Sequence, residues 1–108
     1  MFYFIANIHS RSGQSMKAWE KISRRLNERE VSAQIHMTRF AGHAVQLADQ
    51  LSDRAAADFD CCGLRSTIVA VGGDGTFNEV INGMHDFDKV NLAMIPLGSG
   101  NDLGRGLG

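Results

Sequence analysis

The apolar positions change their period along the chain, and the changes mark out its elements. Phe2 to Ala6 is an unbroken apolar and aromatic run, as in a strand buried on both faces. Asn7 to Gly13 is polar and holds turn formers. From Ser15 the spacing lengthens: Met16, Trp19, Ile22 and Leu26 recur every three or four residues along one face of a helix, with Lys17, Glu20, Lys21 and Arg24 turned to solvent. Val31, Ala33, Ile35 and Met37 alternate with polar residues and predict a second strand over 31–37. Gly42 then introduces a helix with Ala44, Leu47, Ala48, Leu51 and Ala55 on one side, ending somewhere between Asp58 and Gly63. Thr67 to Val71 is a third strand, β-branched and uninterrupted. Phe77, Val80, Ile81 and Met84 mark a third helix. Leu92 to Ile95 is a fourth strand, stopped by Pro96.

Strand and helix thus alternate four times, the last helix incomplete. The alternation predicts an α/β fold: an open parallel sheet with helices on its faces, in one domain. Sheets of this kind bind ligands at the carboxyl ends of their strands, and the polar or glycine-rich turns all leave such ends, so four stretches should meet on one edge.

Composition narrows the classes. The chain has 108 residues and a formal net charge of −1, without the basic footprint of a nucleic-acid binder. Arg24, Arg25 and Arg29 cluster, but beside Glu20, Glu28 and Glu30, as on a solvated helix face. The two cysteines, Cys61 and Cys62, are adjacent, so they form no ordinary staple and lack the second pair a zinc site needs. A reducing compartment fits them. No secretory signal is visible, and the longest apolar stretch, Ile68 to Val71, falls far short of the ~20 residues that span a bilayer. The glycine-rich end, Leu103 to Gly108, reads as the opening of a helix with nothing following, as in a truncated domain. The histidines at 9, 36, 43 and 85 show no metal-ligand spacing, His43 having the best functional standing because it opens the second helix near Thr38. Trp19 reads as core, and Arg11 as a solvated loop residue or a phosphate contact.

The chemistry concentrates in Gly72-Gly73-Asp74-Gly75-Thr76-Phe77-Asn78-Glu79, between a buried strand and a helix. Glycines let the backbone turn and let a bulky ligand approach it, and the N–H groups of the first helical turn form an anion site. Thr76 and Glu79 have the spacing of a capping box. Capping leaves three glycines around one aspartate unexplained. A carboxylate beside an anion-binding turn suits the positioning of a hydroxyl nucleophile or a metal ion. Pro96-Leu97-Gly98-Ser99-Gly100-Asn101-Asp102 repeats the design, Ser99 and Asp102 being a second pair with cap spacing. The Walker P-loop, the dinucleotide fingerprint and the protein-kinase set are all absent from the sequence.

The first glycine stretch, continued by Val80 and by Asn82-Gly83, resembles the signature of diacylglycerol kinases and related lipid kinases. Pro96 to Asp102 is similar to that family's second signature, with Ser99 where threonine is usual. Asn7 to Gly13 resembles its first loop, with Ile8 in place of a proline and Arg11 in place of a glycine. Thr38, Gly42, His43 and Ala44 match its turn after the second strand. NAD kinases and phosphofructokinases share a similar first turn; the second stretch separates the chain from the NAD-kinase pattern.

The resemblance implies an ATP-binding lobe over 1–108, of NAD-kinase/phosphofructokinase-like fold, followed by a second, β-rich domain that supplies much of the lipid site. It implies Mg²⁺ and ATP as cofactors. Asn7, Ser12, Thr38, Gly72, Gly73, Gly75, Thr76, Asn78, Glu79 and Ser99 would contact or line the nucleotide. Asp74 would face the lipid hydroxyl as base or orienting group, and Asp102 would hold the Mg²⁺ network through water. The expected reaction is phosphorylation of a lipid hydroxyl, first of all diacylglycerol to phosphatidic acid, by a cytoplasmic enzyme peripheral to the membrane, with a homodimer left open. The rivals are an NAD-kinase-like phosphotransferase and a non-catalytic nucleotide-binding module.

Overall fold

A computed structural model describes residues 1–8, 14–30 and 32–97, with side chains in the first helix from Lys17 onward. The elements run β1 (Phe2–Ala6), α1 (Gln14–Glu28), β2 (Ala33–Met37), α2 (His43–Cys62), β3 (Ser66–Gly72), α3 (Asp74–Gly83) and β4 (Val90–Pro96). The four strands form one sheet in the order β2-β1-β3-β4, every pairing parallel. The expected α/β class, with its open parallel sheet, is the fold observed.

The pleat sorts the central strands' side chains to two faces. Tyr3 and Ile5 of β1 lie level with Ile68 and Ala70 of β3, and all four pack against Ala44, Leu47, Ala48, Leu51 and Ala55 of α2 and Val80 of α3. Phe4, Ala6, Val69 and Val71 point the other way and pack against Trp19, Ile22 and Leu26 of α1. Trp19 meets Phe4 edge-on with ring centroids 5.9 Å apart. One helix therefore covers one face and two cover the other, and the central strands need no polar side. Lys17, Glu20, Lys21, Arg24, Arg25 and Arg29 are exposed, so the charged stretch of α1 is a solvated face.

The second strand and third helix form as expected, with some apolar positions left open: β2 is an edge strand that α1 only partly covers, so Ile35 and Met37 remain 43% and 38% exposed. Ile81 lies on the outer side of α3 and is exposed. One expected boundary is corrected. β4 begins at Val90, two residues ahead of the expected start, because Val90 is buried and pairs with Ser66. Val31, expected in β2, lies outside the described residues, as does the fourth helix.

Two polar ties fasten the end of the sheet where the strands begin. Tyr3 Oη donates to Asp58 Oδ2 at 2.6 Å, and Ser66 Oγ donates to the same oxygen at 3.1 Å, joining β1, α2 and β3. Burial, then the carboxylate beside it, push the Tyr3 phenol up to about 12. Among the described residues, no helix is long and apolar enough to cross a membrane.

Candidate active site at the carboxyl edge of the sheet

The ladder continues one step past the strand ends. Thr38 N–H donates to Ala6 O at 2.9 Å, Asn7 N–H to Val71 O at 2.8 Å and Leu97 N–H to Gly72 O at 2.9 Å. These bonds set Thr38, Asn7, Gly72 and Leu97 along one edge, so the four strand ends lie together as expected. The connections from β1 and β3 diverge there, β1 leading to α1 on one face and β3 to α3 on the other. Crevices form at such switch points.

Gly72 is glycine because the fold demands it. Its φ is +156°, and a Cβ there would sit 2.7 Å from Thr76 Oγ1 and 3.3 Å from Asn7 O. Gly73 and Gly75 differ. Gly73 has φ −103°, which other residues adopt, and a Cβ on Gly73 or Gly75 would meet nothing within 4 Å among the described residues. Neither backbone conformation nor packing among the described residues requires glycine at those two positions.

The helix after the turn starts earlier than the capping-box spacing suggests. Gly73 is the N-cap of α3 and no side chain among the described residues caps it, so Thr76 and Glu79 are not the cap pair. Thr76 instead lies buried in the first turn, facing Gly72. With no side-chain cap, the first N–H groups are directed at the space beyond the turn, where the helix dipole favours an anion. Asp74, the first residue of α3, is exposed at this edge, as is Asn78 one turn on.

A cleft of ≈ 340 Å³ opens beside the turn, lined by Asn7, Thr38, Arg39, Phe40, Ala41, Ala44 and Glu79. It joins three predicted site residues, Asn7, Thr38 and Glu79. Glu79 Oε1 is shut off from solvent and has no hydrogen-bond partner among the described residues. A shielded carboxylate oxygen without a donor is costly, so a donor from a ligand would be strongly favoured there.

The sequence reading missed Arg39, Phe40 and Ala41, whose one signal was their position directly after a strand end. His43 is held by its neighbours: its Nδ1 accepts from Arg39 N–H at 2.9 Å, and its ring stacks on Phe40 with centroids 4.4 Å apart. Its role is to fix the Arg39–Phe40 wall of the cleft. Gly42, with φ +86°, makes the turn into α2. Ser12, Ser99 and Asp102, with Arg11, His9 and the stretch from Gly98 on, lie outside the described residues.

A second group of polar side chains forms elsewhere. His85 Nε2 lies 3.0 Å from Asp49 Oδ1 and 3.1 Å from Asp53 Oδ1, while its Nδ1 lies 2.8 Å from Asp86 Oδ2. The hydrogen bond to Asp86 leads the influences that raise the His85 pKa, the Asp49 carbonyl and the charges of Asp53 and Asp86 adding to it against a smaller effect of burial. Asp49 is six residues into α2, ~9 Å from the edge at the helical rise. The group is a charged tie between α2 and the end of α3, apart from the cleft.

Comparison with known proteins identifies the family. Residues 1–108 match the diacylglycerol kinase catalytic domain family. The chain is 32% identical over 105 residues to YtlR of Bacillus subtilis, provisionally named a lipid kinase, covering 97% of this chain and 32% of that protein. It is 42% identical over 74 residues to the diacylglycerol kinase of Bacillus subtilis, covering 68% of this chain and 22% of the relative. It is 36% identical over 72 residues to the ceramide kinase of Oryza sativa subsp. japonica, covering 67% and 11%. The chain thus spans a third or less of the length of these relatives.

Proposed function

Because the chain belongs to the diacylglycerol kinase catalytic domain family, we propose that its glycine-rich edge binds ATP and that the whole protein transfers the γ-phosphoryl group to a lipid hydroxyl, with diacylglycerol the leading acceptor. The observation that carries this reading is the pair Gly73 and Gly75, beside which the described residues leave room for a side chain and which stand at a helix start that no described side chain caps. Side chains are missing there for the sake of something that approaches the backbone, and triphosphate oxygens suit N–H groups at a helix start.

In this reading Asn7, Thr38, Gly72, Thr76, Asn78 and Glu79 line the nucleotide, with Ser12 and Ser99 contributing from the neighbouring turns. The shielded Glu79 oxygen accepts from a hydroxyl or amino group of the nucleoside. Mg²⁺ would neutralise phosphate charge, and Asp102 would hold it through water. Asp74 stands at the start of α3, where its carboxylate can orient the acceptor hydroxyl and take its proton as the oxygen attacks. Phosphoryl transfer asks a protein chiefly to position reactants and offset charge, and this edge supplies both. The enzyme would act as a cytoplasmic protein at a membrane surface.

Asp74→Asn keeps the size of the side chain and removes its negative charge. In the full-length protein it should lower kcat by ~10²-fold or more, the scale of a positioned acid–base group, with ATP affinity little changed. The direct test supplies γ-labelled ATP with diacylglycerol, ceramide, a sphingoid base or NAD as alternative acceptors. Labelled lipid is expected. Labelled dinucleotide alone would transfer the reading to a soluble acceptor, and binding without transfer to any acceptor would make the protein a nucleotide-binding module.

A further inference from the structure

At the end of α2 farthest from the cleft, Cys61 and Cys62 are both exposed, and their Sγ atoms are 3.1 Å apart. α2 runs unbroken through both residues and is closed by Gly63, whose N–H donates to Phe59 O at 2.8 Å. Adjacent side chains leave a helix in well-separated directions, so two neighbouring thiols meet only when their rotamers turn toward each other. The same helix opposes oxidation. Consecutive Cα atoms are ~3.8 Å apart, and a relaxed disulfide spans at least ~4.4 Å. Helical residues 61 and 62 therefore present two sulfurs at chelating distance while resisting closure into a disulfide.

The separation can be compared with what each kind of centre would need. With bonds of ~2.3 Å to sulfur, a tetrahedral centre spreads two sulfurs to ~3.8 Å and a right-angled pyramidal centre to ~3.3 Å. The observed 3.1 Å matches the pyramidal case. Zinc is tetrahedral and asks for four ligands, and the sequence has only these two cysteines. Trivalent arsenic, whose lone pair closes its bond angles toward a right angle, needs two sulfurs and a third substituent of its own. The hydrogen bond to Cys61 raises the Cys62 thiol above its ordinary pKa, with the charges of Cys61 and Asp58 and slight desolvation adding to it.

We propose that Cys61 and Cys62 form a bidentate site for trivalent arsenic compounds. With an organoarsenic oxide, two As–S bonds form, the arsenic–oxygen bonds break, and the two thiol protons leave with the oxygen as one water. Neither arsenic nor sulfur changes oxidation state. The site is independent of the nucleotide edge: α2 has 20 residues, so it is ~30 Å long at the helical rise, and the cleft lies at its other end.

The test treats the full-length protein with phenylarsine oxide and follows intact mass, free thiols and the modified peptide. One arsenical is expected on the Cys61–Cys62 peptide, with loss there of one water and two thiols. The adduct should survive excess 2-mercaptoethanol and be stripped by 2,3-dimercaptopropanol. Both side chains are exposed, so Cys61→Ser and Cys62→Ser should each fold as the parent does by circular dichroism. Each should retain ~10²-fold less arsenic after the monothiol wash, the usual gain from an intramolecular second contact. An adduct on one thiol, an adduct removed by monothiol, or full retention in either variant would overturn the proposal.

Discussion

Gly75 and Glu79 sit one helical turn apart on α3 and answer opposite questions about the same edge. At Gly75 a side chain is absent where the protein has room for one. Gly75→Val should therefore fold with near-parental stability and lose ATP binding, as seen by a thermal melt beside a calorimetric titration; undiminished affinity in the folded variant would remove the turn from the site. At Glu79 an acceptor is present that nothing in the described chain uses. Glu79→Ala should raise the Kd for ATP by ~10-fold or more, the equivalent of a lost hydrogen bond to a charged group, while leaving the melting temperature unchanged or higher. A drop in stability with no change in Kd would show that the carboxylate serves the fold. Both residues were legible in the sequence as site candidates, Gly75 for the backbone approach that glycine allows, Glu79 through the resemblance and as half of a cap pair. Thr76 and Glu79 have cap spacing, yet the helix starts three residues before the start that spacing requires, and only coordinates reveal that Gly72 faces Thr76 while Gly73 and Gly75 face no other described residue.

The packing of α2 against α3 decides how firmly that turn is held. Gly83, at the end of α3, lies against the α2 backbone: a Cβ there would come within 2.2 Å of Val45 O and 3.0 Å of the Ala48 Cβ. A backbone carbonyl cannot swing aside as a side-chain tip can, so Gly83→Ala should cost ~1–3 kcal/mol, as overpacking does, measured by denaturant midpoint; an unchanged midpoint would mean that the helices separate freely. A few residues on, His85 binds α2 through Asp49 and Asp53, with Asp86 on its other nitrogen. Its folded pKa is raised, so its stabilisation is fully present below the unfolded value of ~6.5 and is lost as pH rises through the higher folded value. The groups are exposed and screened, so the effect should be ~1 kcal/mol or less. His85→Gln should flatten the decline of the melting temperature above neutral pH; a decline of the same slope would assign it to other groups. Helix periodicity gave the apolar faces of α2 correctly. It gave no sign of the His85 tie, because Asp49 and Asp53 are neighbours only on a helix and His85 reaches them only through the fold.

Across the whole molecule, parallel alternation was the most legible feature: two central strands apolar on both faces leave an open sheet as the economical arrangement. The edge strands were harder to read, since β2 has the same alternation whether or not a helix covers it, and Ile35 and Met37 turn out half-exposed. The strand order β2-β1-β3-β4 was not readable from the chain at all, yet it brings Asn7 and Gly72 side by side and puts the cleft at the ends of β1 and β2, between the start of α2 and Glu79 of α3. The central claim is that this edge receives a nucleotide triphosphate. Backbone amide shifts in the full-length protein, followed by NMR while ATP is added, test it most directly. The account predicts saturable shifts concentrated at Gly73 to Phe77, Asn7 and Thr38 to Phe40, with α1 and the Cys61–Cys62 end of α2 unmoved. Saturable shifts that spare the Gly73–Phe77 turn, or their complete absence at millimolar ATP, would contradict it.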